Sequence, residues 1–146
     1  MDVNVEKIIS KINKITILNY LLTVLVFIAV LIFKNYGQRT ADRIISTIVL
    51  VGATLFSVAL PILLRTWFYQ KSYKNKSLSQ SDYLKLKTLI IISVLIGSLF
   101  ALLGYYYPVY KYHLYISILV LLWGIYSISP SKKVIKRDFI DFKVEE

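Results

Sequence analysis

The residues able to carry acid–base, nucleophilic or metal chemistry are few and poorly placed for it. His113 is the only histidine in 146 residues, and there is no cysteine. A protein zinc site needs three or four nitrogen, sulfur or carboxylate ligands, and no acid or second imidazole lies near His113 in the chain. Serine hydroxyls are common, but activating one takes a base and a third group that orients it. No G-x-S-x-G, H-E-x-x-H, Walker or G-x-G-x-x-G spacing occurs. We therefore expect no catalytic residue, no metal and no cofactor, and read a non-enzyme. The lack of cysteine also excludes a disulfide scaffold.

The ionisable residues are missing from four long stretches, and those stretches define the elements. Residues 15–33 read ITILNYLLTVLVFIAVLIF, and residues 44–64 read IISTIVLVGATLFSVALPILL. The run from Thr88 to Tyr110 is uncharged, and the run from Tyr112 to Ser131 carries only His113. The first run rises about 28 Å as a helix, close to the thickness of a bilayer's hydrocarbon core. A helix in a soluble core keeps one polar face, whereas these runs are apolar all round. With 57% hydrophobic and only 18% charged residues, the chain has too little polar surface to cover them. Barrel strands are shorter and alternate in polarity. The first run is too long for a signal peptide's apolar region, and no small-residue cleavage site follows it. The sequence thus predicts an all-α integral membrane protein with four transmembrane helices, about 15–33, 44–64, 88–107 and 112–129, in an antiparallel bundle spanning 15–129.

The charge of +10 is distributed unevenly along this frame. Four spans place the N-terminus, the 65–87 loop and the tail on one side, with fourteen of the eighteen Lys and Arg residues. Lys34, Arg39, Arg43 and Lys111 fall on the other side. Positive-inside bias then puts both termini in the cytoplasm, and the excess charge faces anionic lipid headgroups. A basic segment with Trp67, Phe68, Tyr69 and Tyr73 could suggest nucleic acid, but it is short, tethered at both ends and lacks a recognition module; we expect no nucleic-acid partner. Six of twelve tyrosines lie between Tyr105 and Tyr115. They mark the outer membrane interface in preference to a ligand-stacking site.

The flanks read as surface segments. In 1–14, Val5, Ile8, Ile9 and Ile12 share one helical face, giving an amphipathic lead-in on the membrane surface. In the basic tail 130–146, Ile135, Phe139 and Phe142 recur at helical spacing, as in a surface helix or docking peptide. Ser79 and Asp82 form a weak capping box before the third span.

Polar residues inside the spans are read as packing elements. Asn19 and Thr23 share a face of the first helix. Ala53 and Ser57 do so in the second, and Ser93, Gly97 and Ala101 form a small-xxx-small seam in the third. Gly124 joins Ser117 and Ser127 in the fourth. The functional alternative is a polar-lined pore built from Asn19, Thr23, Thr54, Ser57, Ser93 and Ser117. Pro61 has no N–H for the Ser57 carbonyl, which predicts a kink or a water-bound carbonyl. Arg65 would snorkel to phosphates, and with Lys132 and Lys133 could form an anionic headgroup site.

No ionisable group sits within the spans, where proton relays and coupled transport usually need one. We therefore expect a small polytopic protein that acts by association with another membrane component, of accessory, immunity or exclusion type. The alternative is a channel or transporter subunit formed by self-association; a lipid-modifying enzyme ranks last. The expected site is a bacterial cytoplasmic membrane, since Lys outnumbers Arg and Ile, Asn and Tyr abound as in AT-rich bacterial or phage genomes.

Overall fold

Local sequence sets where each helix starts and stops. The computed structural model describes residues 2–33, 40–107, 109–129 and 131–144, with backbone only for 2–5 and 132. Helix α1 runs unbroken from Asp2 to Phe33. Asp42 caps α2 (Arg43–Thr54), its Oδ1 accepting from the N–H groups of Ile44 and Ile45 at 2.7 and 3.0 Å. A cap of this kind satisfies donors that have no intrahelical partner. A π-helical turn, Leu55–Ala59, leads into α3 (Leu60–Asn75). Lys76 ends α3 in the left-handed conformation, at φ 64°. Ser79 then caps α4 (Gln80–Tyr106) by accepting from the Asp82 N–H at 3.2 Å. Helices α5 (Lys111–Ile128) and α6 (Lys132–Asp141) complete the order. Among the described residues there is no strand, only an isolated parallel bridge between Leu78 and Val144.

Four helical segments are long and apolar enough to cross a membrane: Glu6–Phe33, Arg43–Asn75, Gln80–Tyr106 and Lys111–Ile128. They do not form a square of sequential neighbours. Helix α4 is central, packing on α1, α2, α3 and α5, while α2 also packs on α5. Of its most apolar stretch 44% is buried, against 17–22% for the other three. The paired residues give the directions. Asn19 meets Ile91 and Thr23 meets Ser98, so α1 and α4 run parallel. Val49 meets Gly104 and Ser57 meets Gly97, so α2 and α4 run antiparallel. Successive spans therefore alternate in direction, yet α1 rests on α4, two spans away in the chain.

Both flanks are more integrated than surface segments. Residues 2–14 continue into α1 without a break, and Ile8, Ile9 and Ile12 are buried in protein. The tail folds back as α6, burying Ile135, Asp138, Phe142 and Val144. Together with Phe68, Leu78, Tyr83 and Leu86 these residues carry the buried cluster on to one end of the bundle, beyond the charge-free runs, where it is continuous with Ile91, Val94 and Ile128 of the spans. We call this end the cap. Its helices are the extensions of the spans: α1 reaches about 20 Å beyond its apolar run, at about 1.5 Å per residue. Burial from water is worth about 1.5–3 kcal/mol per large apolar side chain. Helices that cross a bilayer lack that force between them and rely on close packing and hydrogen bonds.

Candidate functional site

The chemistry-bearing side chains gather in the cap around one carboxylate. Asp138 lies on the apolar face of α6, between Ile135 and Phe142, and is 1% exposed. Arg65, at the foot of the second span, places Nη2 at 2.6 Å from its Oδ1. Lys87, at the foot of the third, places Nζ at 2.6 Å from Oδ2, and the Tyr83 hydroxyl donates to the same oxygen at 3.2 Å. A buried carboxylate is tolerable only when its lone pairs are met in this way. The cluster joins α3, α4 and α6 at one point.

Electrostatics divide its members. Lys87 is 19% exposed and Arg65 46%, so Lys87 depends more on Asp138 than Arg65 does. Tyr83 is in the first turn of α4, before the charge-free run; burial first, and then the Asp138 carboxylate, push its phenol far above the usual tyrosine range. Tyr83 therefore stays protonated and serves as a donor. On the outside of the cap, Asp82 pairs with Lys71 at 2.6 Å and Lys85 at 3.6 Å, clasping the α3–α4 hairpin. Two further bonds hold the chain end: Ser72 Oγ donates to the Phe142 carbonyl, and the Leu78 N–H donates to the Lys143 carbonyl at 3.1 Å.

A second constellation lies at mid-span. The Leu60 N–H bonds Leu55 O, five residues back, as a π turn requires. The next carbonyl, Phe56, would then look to Pro61, which has no N–H. Ser93 Oγ on α4 donates to Phe56 O instead. The carbonyl left over by Pro61 is thus that of Phe56 and not of Ser57, because the π turn shifts the register by one residue. The same turn drives Ser57 against two glycines. A Cβ on Gly97 would collide with Ser57 Oγ and stand 2.8 Å from Ser57 N. A Cβ on Gly124 would stand 3.1 Å from Ser57 Cβ.

Ala53, Ser57, Ser93, Gly97 and Gly124 accordingly meet around the π turn where α2, α4 and α5 converge, with Ala101 buried farther along α4. Asn19 and Thr23 belong to a separate seam. Asn19 Nδ2 donates to Ile91 O at 2.8 Å, Thr23 Oγ1 donates to Asn19 O at 2.9 Å, and Thr23 meets Ser98 at 3.3 Å. Tyr20 adds a bond to Ile125 O at 3.2 Å. The remaining residues of the candidate pore bond within their own helices. Ser117 donates to His113 O in its own helix, and Thr54 faces outward with its hydroxyl on Leu50 O.

Of the three residues expected as a headgroup contact, Arg65 turns to Asp138, Lys133 is exposed on α6, and the Lys132 side chain lies outside the described residues. Pro108 and Pro130 also lie outside them. His113 stacks edge-on against Tyr110, with ring centroids 5.7 Å apart. Sequence reasoning missed Asp138 and Asp42. Each carried a signal: Asp138 interrupts the apolar stripe of an amphipathic helix, and Asp42 directly precedes an apolar helical run. No known family, curated protein or solved structure matches this chain.

Proposed function

We propose that this chain is an integral protein of a cell membrane, with its cap in the cytoplasm, and that it works without catalysis by associating with another membrane component. The observation that carries this reading is the employment of the polar groups in the spans. Asn19 Nδ2, Thr23 and Ser93 bond to groups on neighbouring helices and Ser57 packs against two glycines, while Asn19 Oδ1 and the Thr16 and Ser57 hydroxyls are buried without a partner; this close packing supports a scaffold in preference to a pathway. The orientation follows from charge: the cap carries most of the Lys and Arg, including Lys71, Lys74, Lys85 and Lys87.

Two experiments test the reading. The chain has no cysteine, so Lys74→Cys and Tyr112→Cys each give a single labelling site. A membrane-impermeant thiol reagent applied to intact cells should label the second and spare the first; the reverse pattern overturns the orientation. Purification in mild detergent from the native host should bring down one stoichiometric membrane partner. A chain that purifies alone and conducts ions or solutes in proteoliposomes would establish the competing reading, a pathway formed by self-association.

A further inference from the structure

At the foot of the second span, an open groove of about 440 Å³ is lined by Arg65, Thr66 and Tyr69 of α3 and by Asp141 and Phe142 at the end of α6. We propose that this groove binds the headgroup of a zwitterionic aminophospholipid, its phosphate on Arg65 and its primary ammonium on Asp141. The proposal rests on the membrane reading above, because an inner bilayer surface just past Leu64 would bring headgroups to this height.

The groove is lined by both signs of charge and by two aromatic residues. Arg65 spends Nη2 on Asp138, while its side chain is 46% exposed. A guanidinium has five N–H donors in a fork suited to phosphate, so donors remain for a second anion. Asp141 is exposed and has no ion-pair partner among the described residues. Its carboxylate can accept only from a ligand that offers N–H or O–H. The rings of Tyr69 and Phe142 meet edge-to-face at 6.2 Å between centroids. Phe142 is buried and its ring lies under the Arg65 guanidinium, 5.8 Å from the centroid, whereas Tyr69 is exposed and can offer a ring face to a cation such as an ammonium. A phosphoethanolamine group carries the complementary pair of charges. A purely anionic headgroup meets the Asp141 carboxylate, and a quaternary choline offers that carboxylate no N–H.

The test uses the full chain in detergent, with short-chain phosphatidylethanolamine, phosphatidylcholine and phosphatidylglycerol as competing probes. Bound lipid is counted by native mass spectrometry. The ethanolamine lipid should bind about tenfold more tightly than either competitor, the worth of one charge-assisted hydrogen bond. Asp141→Asn should abolish that preference, and Asp141→Lys should redirect it to phosphatidylglycerol. Both variants should keep wild-type helix content and melting temperature, because Asp141 is exposed. Equal binding of the three lipids, or a preference that survives Asp141→Asn, overturns the proposal. Glycerophosphoethanolamine separates the sources: if this soluble headgroup binds as tightly without acyl chains and depends equally on Asp141, the ligand is a soluble metabolite and the lipid assignment falls. A chain recovered in the aqueous fraction of broken cells overturns the membrane reading and the groove together, whereas a membrane-embedded chain without lipid preference overturns the groove alone.

Discussion

Asp138 shows how much a single buried charge can organise. It is bonded by Arg65, Lys87 and Tyr83, and its removal leaves Lys87 without a counter-charge in a largely dry place. Asp138→Asn should destabilise the chain by about 2–4 kcal/mol. Arg65→Gln should cost under about 1 kcal/mol, because water already screens the half-exposed guanidinium. Lys87→Met should fall between them. Thermal unfolding of the three variants in one detergent gives this order directly; a larger loss for Arg65→Gln than for Asp138→Asn would refute it. The charged residues were legible in the sequence but their pairing was not. Arg65 and Asp138 are 73 positions apart, and no local pattern connects them. Arg65 therefore read as a residue facing lipid phosphate, when its first partner is a carboxylate of its own chain.

At the level of elements, the four apolar runs and the small-residue seam were readable because lipid permits only a few solutions: a spanning helix must be apolar all round and must satisfy its own backbone. The π turn was not readable. Pro61 announces a missing N–H, but which carbonyl goes without depends on whether the preceding turn is α or π, and Ser93 enters from another helix to decide it. Two expectations belong here. Ser93→Ala leaves Phe56 O without its donor and should cost about 1–2 kcal/mol. Adding Pro61→Ala, which restores an N–H, should recover part of that loss, and a double-mutant cycle measures the coupling. Gly97→Ala should cost about 1–3 kcal/mol, since its Cβ would press on the Ser57 backbone 2.8 Å away. Gly124→Ala should cost less, its nearest neighbours standing 3.1 Å away. Equal losses at the two glycines would mean that the close approach at the π turn is not what limits packing.

In the whole molecule one buried cluster runs from the apolar spans into the cap. The cap was only half legible. The apolar faces of 1–14 and 130–146 were visible, but each alone looked like a membrane-surface helix. What sequence could not supply was that both join one buried cluster with the ends of α3 and α4. Deleting residues 132–146 should therefore expose Phe68, Leu78, Tyr83 and Leu86 while leaving the four apolar spans intact. We expect the shortened chain to reach the membrane fraction normally but to be cut by protease near residues 76–79, where wild type resists. Failure to reach the membrane would make α6 part of insertion and not only of the cap.

The resting place of α1 on α4 has a consequence for biogenesis. Asn19 donates to Ile91, 72 residues later in the chain, so at ordinary rates of translation the first helix waits on the order of seconds for its partner. During that interval the Asn19 Nδ2 donor lacks the α4 carbonyl that it meets in the finished packing. The second and third spans can settle into their glycine seam as soon as both are made. Of the four helices the first is thus made before the others but is not the first to find its place; its Asn19 Nδ2 donor waits until α4 emerges, and Asn19 Oδ1 stays without a partner in the finished packing.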